Sequence, residues 1–157
     1  MTWLEVCEHP GLQNLPFKIE LNENGEIVMN AVRVIHSIYQ GEIEFLLRSF
    51  LKTGKTLPEC AVKTRRGTKV ADVAWASKER IKIVKNDVEC SIAPEICVEV
   101  VSISNTGEEM NEKVRLYLDA GAQEVWICND GNMIFYNIHG VIKKSLLVPN
   151  FPNKIEV

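Results

Sequence analysis

Long hydrophobic runs are missing from this 157-residue chain: no apolar stretch approaches the ~20 residues that a membrane helix needs. A secretory signal is missing too, because "MTWLEVCEHPGLQ" carries acids where a basic start and an apolar core would be required. No C-x-x-C occurs. The 5 cysteines are odd in number and irregular in spacing, which counts against a zinc site or a disulfide framework and for free thiols in a reducing compartment. Nor is there an excess of positive charge. The net charge is -3 and the pI about 5.7, mildly against a nonspecific nucleic-acid binder. No aromatic-rich RNA platform, nucleotide-binding glycine loop, repeat or low-complexity segment is visible. A cytoplasmic protein with no membrane association is expected.

What is present is ordinary globular composition, 46% hydrophobic and 25% charged. Such a chain suits one domain over residues 1–157, burying roughly 70% of its unfolded surface. "PFKIELN" and "EIVMNAV" flank Asn24-Gly25, a strong hairpin signal. "VRVIHSIYQGEIEFLLRSFLKTG" reads as a helix stopped by Gly54, and "CAVKTRRGTKVADVAWAS" as two strands about a basic turn. That turn is either a solvated hairpin tip or a set of phosphate contacts. A polar connection, "KERIKIVKNDVE", leads to a strand around Glu99. "TGEEMNEKVRLYLDAGA" is a second helix ended by Gly121, with acids in its first turns as the helix dipole favours. "EVWICN", "MIFYNIH" and "VIKKSLLVP" follow as strands. The order implies a mixed α/β fold, a central mixed sheet with helices packed on it.

Several charged residues sit where apolar ones belong. Glu99 interrupts "ICVEVV", and alternation puts it on one face with Cys97 and Val101. Burying a carboxylate there costs several kcal/mol unless something positive meets it, on the order of what one ion pairing recovers. Asp72 shares a strand face with Val70 and Ala74. On the first helix, with Val34 at zero, Phe45 falls at ~20°, Ile38 at ~40°, Ile35 at ~100°, Leu46 at ~120°, Tyr39 at ~140° and Ile43 at ~180°. Glu42 falls at ~80°, inside that apolar arc, while Glu44 at ~280° lies outside it. On the second helix Lys113 lies in the arc of Met110, Val114 and Tyr117, where it either snorkels to water or meets the acids. Convergence of all four would suit a hard divalent cation between carboxylates, with a lysine beside it to stabilise transition-state charge.

The stretches "KVADVAWAS", "APEICVEVVSISNT", "EKVRLYLDAGAQEVWICN" and "GVIKKSLLVPNFPNKIEV" resemble the Uma-type bacterial restriction endonucleases, a branch of the PD-(D/E)XK nuclease superfamily. The resemblance covers nearly the whole chain, and "EVVSISNT…EK…YLDAGAQEVW" is its most specific part. It implies a restriction-endonuclease-like core with an N-terminal β-hairpin. It also implies that Asp72 and Glu99 hold Mg²⁺ or Mn²⁺, that Glu42 assists as the acid of the first core helix, and that Lys113 is the catalytic lysine. The superfamily's lysine ordinarily lies two residues after the glutamate, where this chain has Val101; in this branch it sits on the following helix. Ala71 and Ile103 replace prolines common at those positions, with little chemical consequence. His36 matches a frequent family histidine, and a packing role is expected for it.

The function expected is a metal-dependent endonuclease acting on DNA as a homodimer, since C2 symmetry suits cutting both strands. The competing expectation is a catalytically idle nuclease-fold module for binding or assembly. Hydrolysis of RNA or of a smaller phosphoester is a third possibility.

Overall fold

The computed structural model describes residues 1–157. A short helix α1 (Trp3–Glu8) precedes the hairpin β1 (Phe17–Leu21) and β2 (Ile27–Ala31). Then come α2 (Val34–Phe50), the long strands β3 (Lys55–Thr64) and β4 (Gly67–Ala76), and the short helix α3 (Lys78–Val84). The chain continues through β5 (Ile96–Val100), α4 (Gly107–Asp119), β6 (Glu124–Asn129), β7 (Asn132–Asn137) and β8 (Gly140–Ile142).

Strands β3 to β8 lie in sequence order in one six-stranded sheet, and β1 and β2 form a separate antiparallel pair. Only β5 and β6 run parallel, because α4 joins them as a crossover, while the remaining neighbours are antiparallel. The sheet is therefore mixed, as expected.

Period-2 alternation divides β5 between two cores. Ile96, Val98 and Val100 face Tyr39, Ile43 and Leu47 of α2, together with Trp126, Phe135 and Phe151. Cys97 faces Met110, Val114 and Tyr117 of α4. Glu99 points into this second layer.

Two elements differ from the sequence reading. The polar connection after β4 forms α3, because Ser77 Oγ accepts a hydrogen bond from the Arg80 N–H and the Arg80 guanidinium donates to the Ala93 carbonyl. The third C-terminal strand shrinks to β8. The following residues wrap instead onto the buried Glu124 carboxylate, which accepts from Trp126 Nε1, Ser145 Oγ and the backbone N–H groups of Leu146 and Leu147. A buried carboxylate needs that many donors, and they outweigh the β-propensity of "VIKKSLLVP". No helix is long and apolar enough to cross a membrane.

The hairpin β1–β2 lies against β4. Gly67, at φ +86°, makes the turn between β3 and β4 pass close to it, and a Cβ there would collide with the Leu21 and Asn22 carbonyl oxygens. This close approach brings one face of β1 over the middle of the sheet.

Candidate active site

Strands β4 and β5 pair only over Val73↔Val98, Ala74↔Cys97 and Trp75↔Ile96. One step further the same register sets Asp72 opposite Glu99, and there the ladder stops. The strands part while β5 stays bonded to β6 as far as Val100↔Cys128. The opening leaves backbone donors to be satisfied, and side chains satisfy them. Asp72 Oδ2 accepts from the Val100 N–H at 2.7 Å. Glu20 Oε2, from β1, accepts from the Val70 N–H at 2.7 Å.

Three carboxylates are thereby buried together: Glu20 (4% exposed), Asp72 (1%) and Glu99 (2%). Two ammonium groups answer them. Lys18 Nζ, from the same face of β1 as Glu20, lies 3.1 Å from Asp72 Oδ1 and 3.1 Å from Glu99 Oε2. Lys113 Nζ, from α4, lies 3.0 Å from Glu20 Oε1 and 3.4 Å from Glu99 Oε1. Tyr117, one helical turn further along α4, donates its hydroxyl to Glu99 Oε1 at 2.7 Å. Three carboxylates against two ammonium groups leave one negative charge over. His36 Nε2 lies 3.2 Å from Asp72 Oδ1.

The electrostatics follow from burial set against neighbours. Desolvation opposes ionisation of Asp72, but Lys18, His36 and the Val100 N–H outweigh it and hold the carboxyl below its usual range. Glu20 is likewise lowered, with Lys113, Lys18 and the Val70 N–H overcoming desolvation. Glu99 goes the other way. Complete burial, with Asp72 and Glu20 adding to it, lifts its carboxyl above the usual range despite Lys113 and Lys18. Burial would lower Lys18, yet Glu99, Asp72 and Glu20 hold its ammonium well above the ordinary lysine value. Two neighbouring carboxylates pushed in opposite directions are a frequent mark of a working site.

Beside the cluster lies a cleft of about 610 Å³, whose polar lining includes Asn30, Arg33, Tyr39, Ser102, Ser104 and Asp130. His36 borders both the cleft and the cluster.

Of the residues expected from sequence, the structure brings Asp72, Glu99 and Lys113 together. Glu42 is a correction: it is exposed on α2 and enters no ion pair with the cluster. The buried face of α2 is His36, Tyr39, Ile43 and Leu47. The apolar arc used to place Glu42 is buried only at its far edge, at Tyr39 and Ile43; the rest faces solvent, with Val34 78%, Ile38 42% and Phe45 65% exposed. The acid that joins Asp72 and Glu99 in the cluster is Glu20. In the basic turn Arg65 pairs with Asp119 and Arg66 with Glu112, both of α4, and all four side chains are about a third or more exposed.

The sequence model of the family named Uma2, described as "Putative restriction endonuclease", matches residues 4–142. The chain belongs to the Uma2 family. No curated protein matches it. Among solved structures it is similar to the crystal structure, at 1.96 Å resolution, of a "putative nuclease belonging to DUF820" from Anabaena variabilis. That chain is 20% identical, with a TM-score of 0.70 over 87% of this chain and 79% of the other. At such identity the likeness concerns the fold, a mixed nuclease-like α/β sheet flanked by helices.

The Mg²⁺ that resemblance to the wider nuclease superfamily implies can be tested against this Uma2 site. The donors suit it: Asp72 and Glu99 offer hard carboxylate oxygens. The Lys18 ammonium is itself a stand-in cation, equidistant from one oxygen of each. No group of three or more His, Cys, Asp or Glu side chains is arranged to hold a metal, so an ion between these two carboxylates would draw its remaining ligands from water or substrate. The Uma2 residues missed in the sequence are Lys18, Glu20 and Tyr117. Lys18 and Glu20 alternate with Ile19 and Leu21, which is also how an ordinary half-solvated hairpin reads.

Proposed function

We propose that the chain is an endonuclease that hydrolyses DNA phosphodiester bonds at the Asp72–Glu99–Lys113 cluster with Mg²⁺ or Mn²⁺ as cofactor. The observation that carries the reading is convergence: carboxylates from two parting strands meet a single cation at 3.1 Å each, with His36 between them and a neighbouring cleft. Membership of a nuclease-like family supports it. An ion held by Asp72 and Glu99 would activate a water and neutralise charge on the phosphoryl group.

The chain's own residues do the rest. Lys113, fixed by Glu20 at 3.0 Å, holds a positive charge where negative charge develops at the scissile phosphate. His36 positions Asp72 from the cleft side. Arg33 supplies a cation, and Asn30, Ser102 and Ser104 supply neutral donors, for flanking phosphates. A homodimer would bring two such sites to the two strands of a duplex, and the exposed row Val34, Ile38 and Phe45 on α2 is the apolar surface available for pairing.

The test is nicking of supercoiled plasmid with Mg²⁺ or Mn²⁺, run beside single-stranded RNA and a small phosphodiester. Wild type is expected to cut the plasmid, and Asp72→Asn and Lys113→Met to lose at least 100-fold, on the order of ~3 kcal/mol of transition-state stabilisation. Activity surviving both substitutions refutes the site. Cleavage of only the RNA or the small ester reassigns the substrate.

One observation favours a second reading. Lys18 already fills the cation position, as it would in an idle nuclease-fold binding module. Calorimetric titration with Mn²⁺ separates the two, because an idle module takes up no ion at Asp72 and Glu99.

A further inference from the structure

Lys18 is the best-anchored cation of the cluster and has no assigned role. Its Nζ sits 3.1 Å from Asp72 Oδ1, 3.1 Å from Glu99 Oε2 and 3.9 Å from Glu20 Oε2. The free space beside it, bounded also by Asn30, Val100, Ser102 and Lys113, is about 20 Å³. That holds about one water and no hydrated divalent ion. Adding an ion without removing a cation would also turn a cluster with one surplus negative charge into one with a surplus positive charge. Space and charge therefore both oppose joint occupancy by the ammonium and the ion.

The other side of Lys18 is less confined. The same residue borders a groove of about 250 Å³ between β1 and α1, lined also by Trp3, Phe17 and Glu59. The groove opens to solvent, so the ammonium can leave toward water on that side, where Glu59 is the one carboxylate in a mainly apolar lining. The four-carbon stem of Lys18 gives it the reach, and rotation of the side chain leaves the β1 backbone and Glu20 in place.

We propose that the Lys18 ammonium and the divalent ion compete for one position between Asp72 and Glu99. Lys18 is the counter-ion that keeps the three carboxylates folded together when no metal is bound, and it withdraws toward the β1–α1 groove when the metal enters. This rests on the metal-dependent reading above and adds a regulation to it: metal affinity is set by how easily Lys18 leaves. Lys18 is a positioning residue, distinct from Lys113, whose bond to Glu20 persists in either state.

Two measurements test the exchange without reading activity. In wild type, reductive methylation of lysines is followed by mass spectrometry with and without saturating Mg²⁺. Lys18 is expected to react slowly alone and several-fold faster with the ion. An unchanged rate under conditions where calorimetry shows binding overturns the competition and leaves the metal site standing. In the second measurement Lys18→Met is titrated with Mn²⁺. Its affinity is expected to be tighter than wild type by on the order of tenfold or more, because the ion no longer has to displace a paired ammonium. Equal or weaker binding by Lys18→Met again overturns the competition alone. Binding by neither protein removes the metal reading and the competition with it. Should Lys18→Met fail to fold without Mn²⁺, the methylation of wild type still decides.

Discussion

Removing one oxygen from Tyr117 isolates the cost of keeping Glu99 buried. In Tyr117→Phe the ring still fills its place between β5 and α4, but Glu99 Oε1 loses a 2.7 Å donor and keeps only Lys113 at 3.4 Å. The bond is of charge-assisted length, and such bonds contribute about 1.5–3 kcal/mol. A hydroxyl's vacated space is too small for a replacement water. The expected loss is about 2 kcal/mol, or roughly 4–8 °C in Tm for a chain of this size. Urea denaturation should show a lower midpoint at unchanged slope. Stability should also depend on pH in one direction. Because the native Glu99 pKa is raised, its contribution is fully present below the unfolded glutamate value and is lost as pH rises through the native one. Deleting the Tyr117 hydroxyl raises that native value further, so the penalty grows with pH over the same window. A penalty under about 0.5 kcal/mol, or one that shrinks as pH rises, would refute the account of how Glu99 is held.

Four further outcomes follow from the same geometry. Glu42→Gln should leave plasmid nicking and Mn²⁺ titration unchanged, since Glu42 is exposed and away from the cluster. Phe45→Glu should leave the melting temperature nearly unchanged while lowering the mass in light scattering from dimer to monomer, if the exposed α2 row is the pairing surface. Arg66→Ala breaks an ion pair with Glu112 whose members are half and a third exposed, so urea denaturation should register less than about 1 kcal/mol. A thiol reagent should modify Cys7 rapidly, and Cys60, Cys90, Cys97 and Cys128 only on unfolding, because Cys7 alone is exposed.

The architecture was readable because its signals are local. Asn24-Gly25 marks the hairpin and Gly121 follows the C-cap of α4, whereas α2 already stops at Phe50, before Gly54; the alternation in "ICVEV" assigns Glu99 to the α4 side. Asp72, Glu99 and Lys113 were legible for a related reason: each contradicts the apolar face around it. Glu42 failed by that same test, because only the far edge of its apolar arc, Tyr39 and Ile43, is buried and Glu42 lies on the exposed part. A helical wheel measures where apolar residues cluster, not which cluster meets the sheet. On α2 the buried row is shorter and includes His36, whose polarity disguised it. Lys18 and Glu20 were illegible for the opposite reason. Their alternation with Ile19 and Leu21 fits a solvated hairpin, and only the packing of β1 against β4 turns that polar face inward.

The acids and lysines of the cluster are tied together by the backbone as much as by any chemistry they perform. Where β4 and β5 part, the N–H groups of Val70 and Val100 lose strand partners, and leaving either unsatisfied would cost about 1–3 kcal/mol. Glu20 and Asp72 supply the acceptors. Carboxylates at those depths then require cations, which Lys18 and Lys113 provide from the two elements that flank the gap. Asp72 is thus a strand-end cap and a proposed metal ligand at once. Its alanine variant would lose both roles, so a dead Asp72→Ala protein would say nothing about chemistry. Asp72→Asn keeps an oxygen for the Val100 N–H and removes the charge, which is why it carries the activity test. If Asp72→Asn melts within a few degrees of wild type yet neither nicks plasmid nor binds Mn²⁺, the two roles of Asp72 separate; if it unfolds as alanine does, the charge itself holds the strands apart.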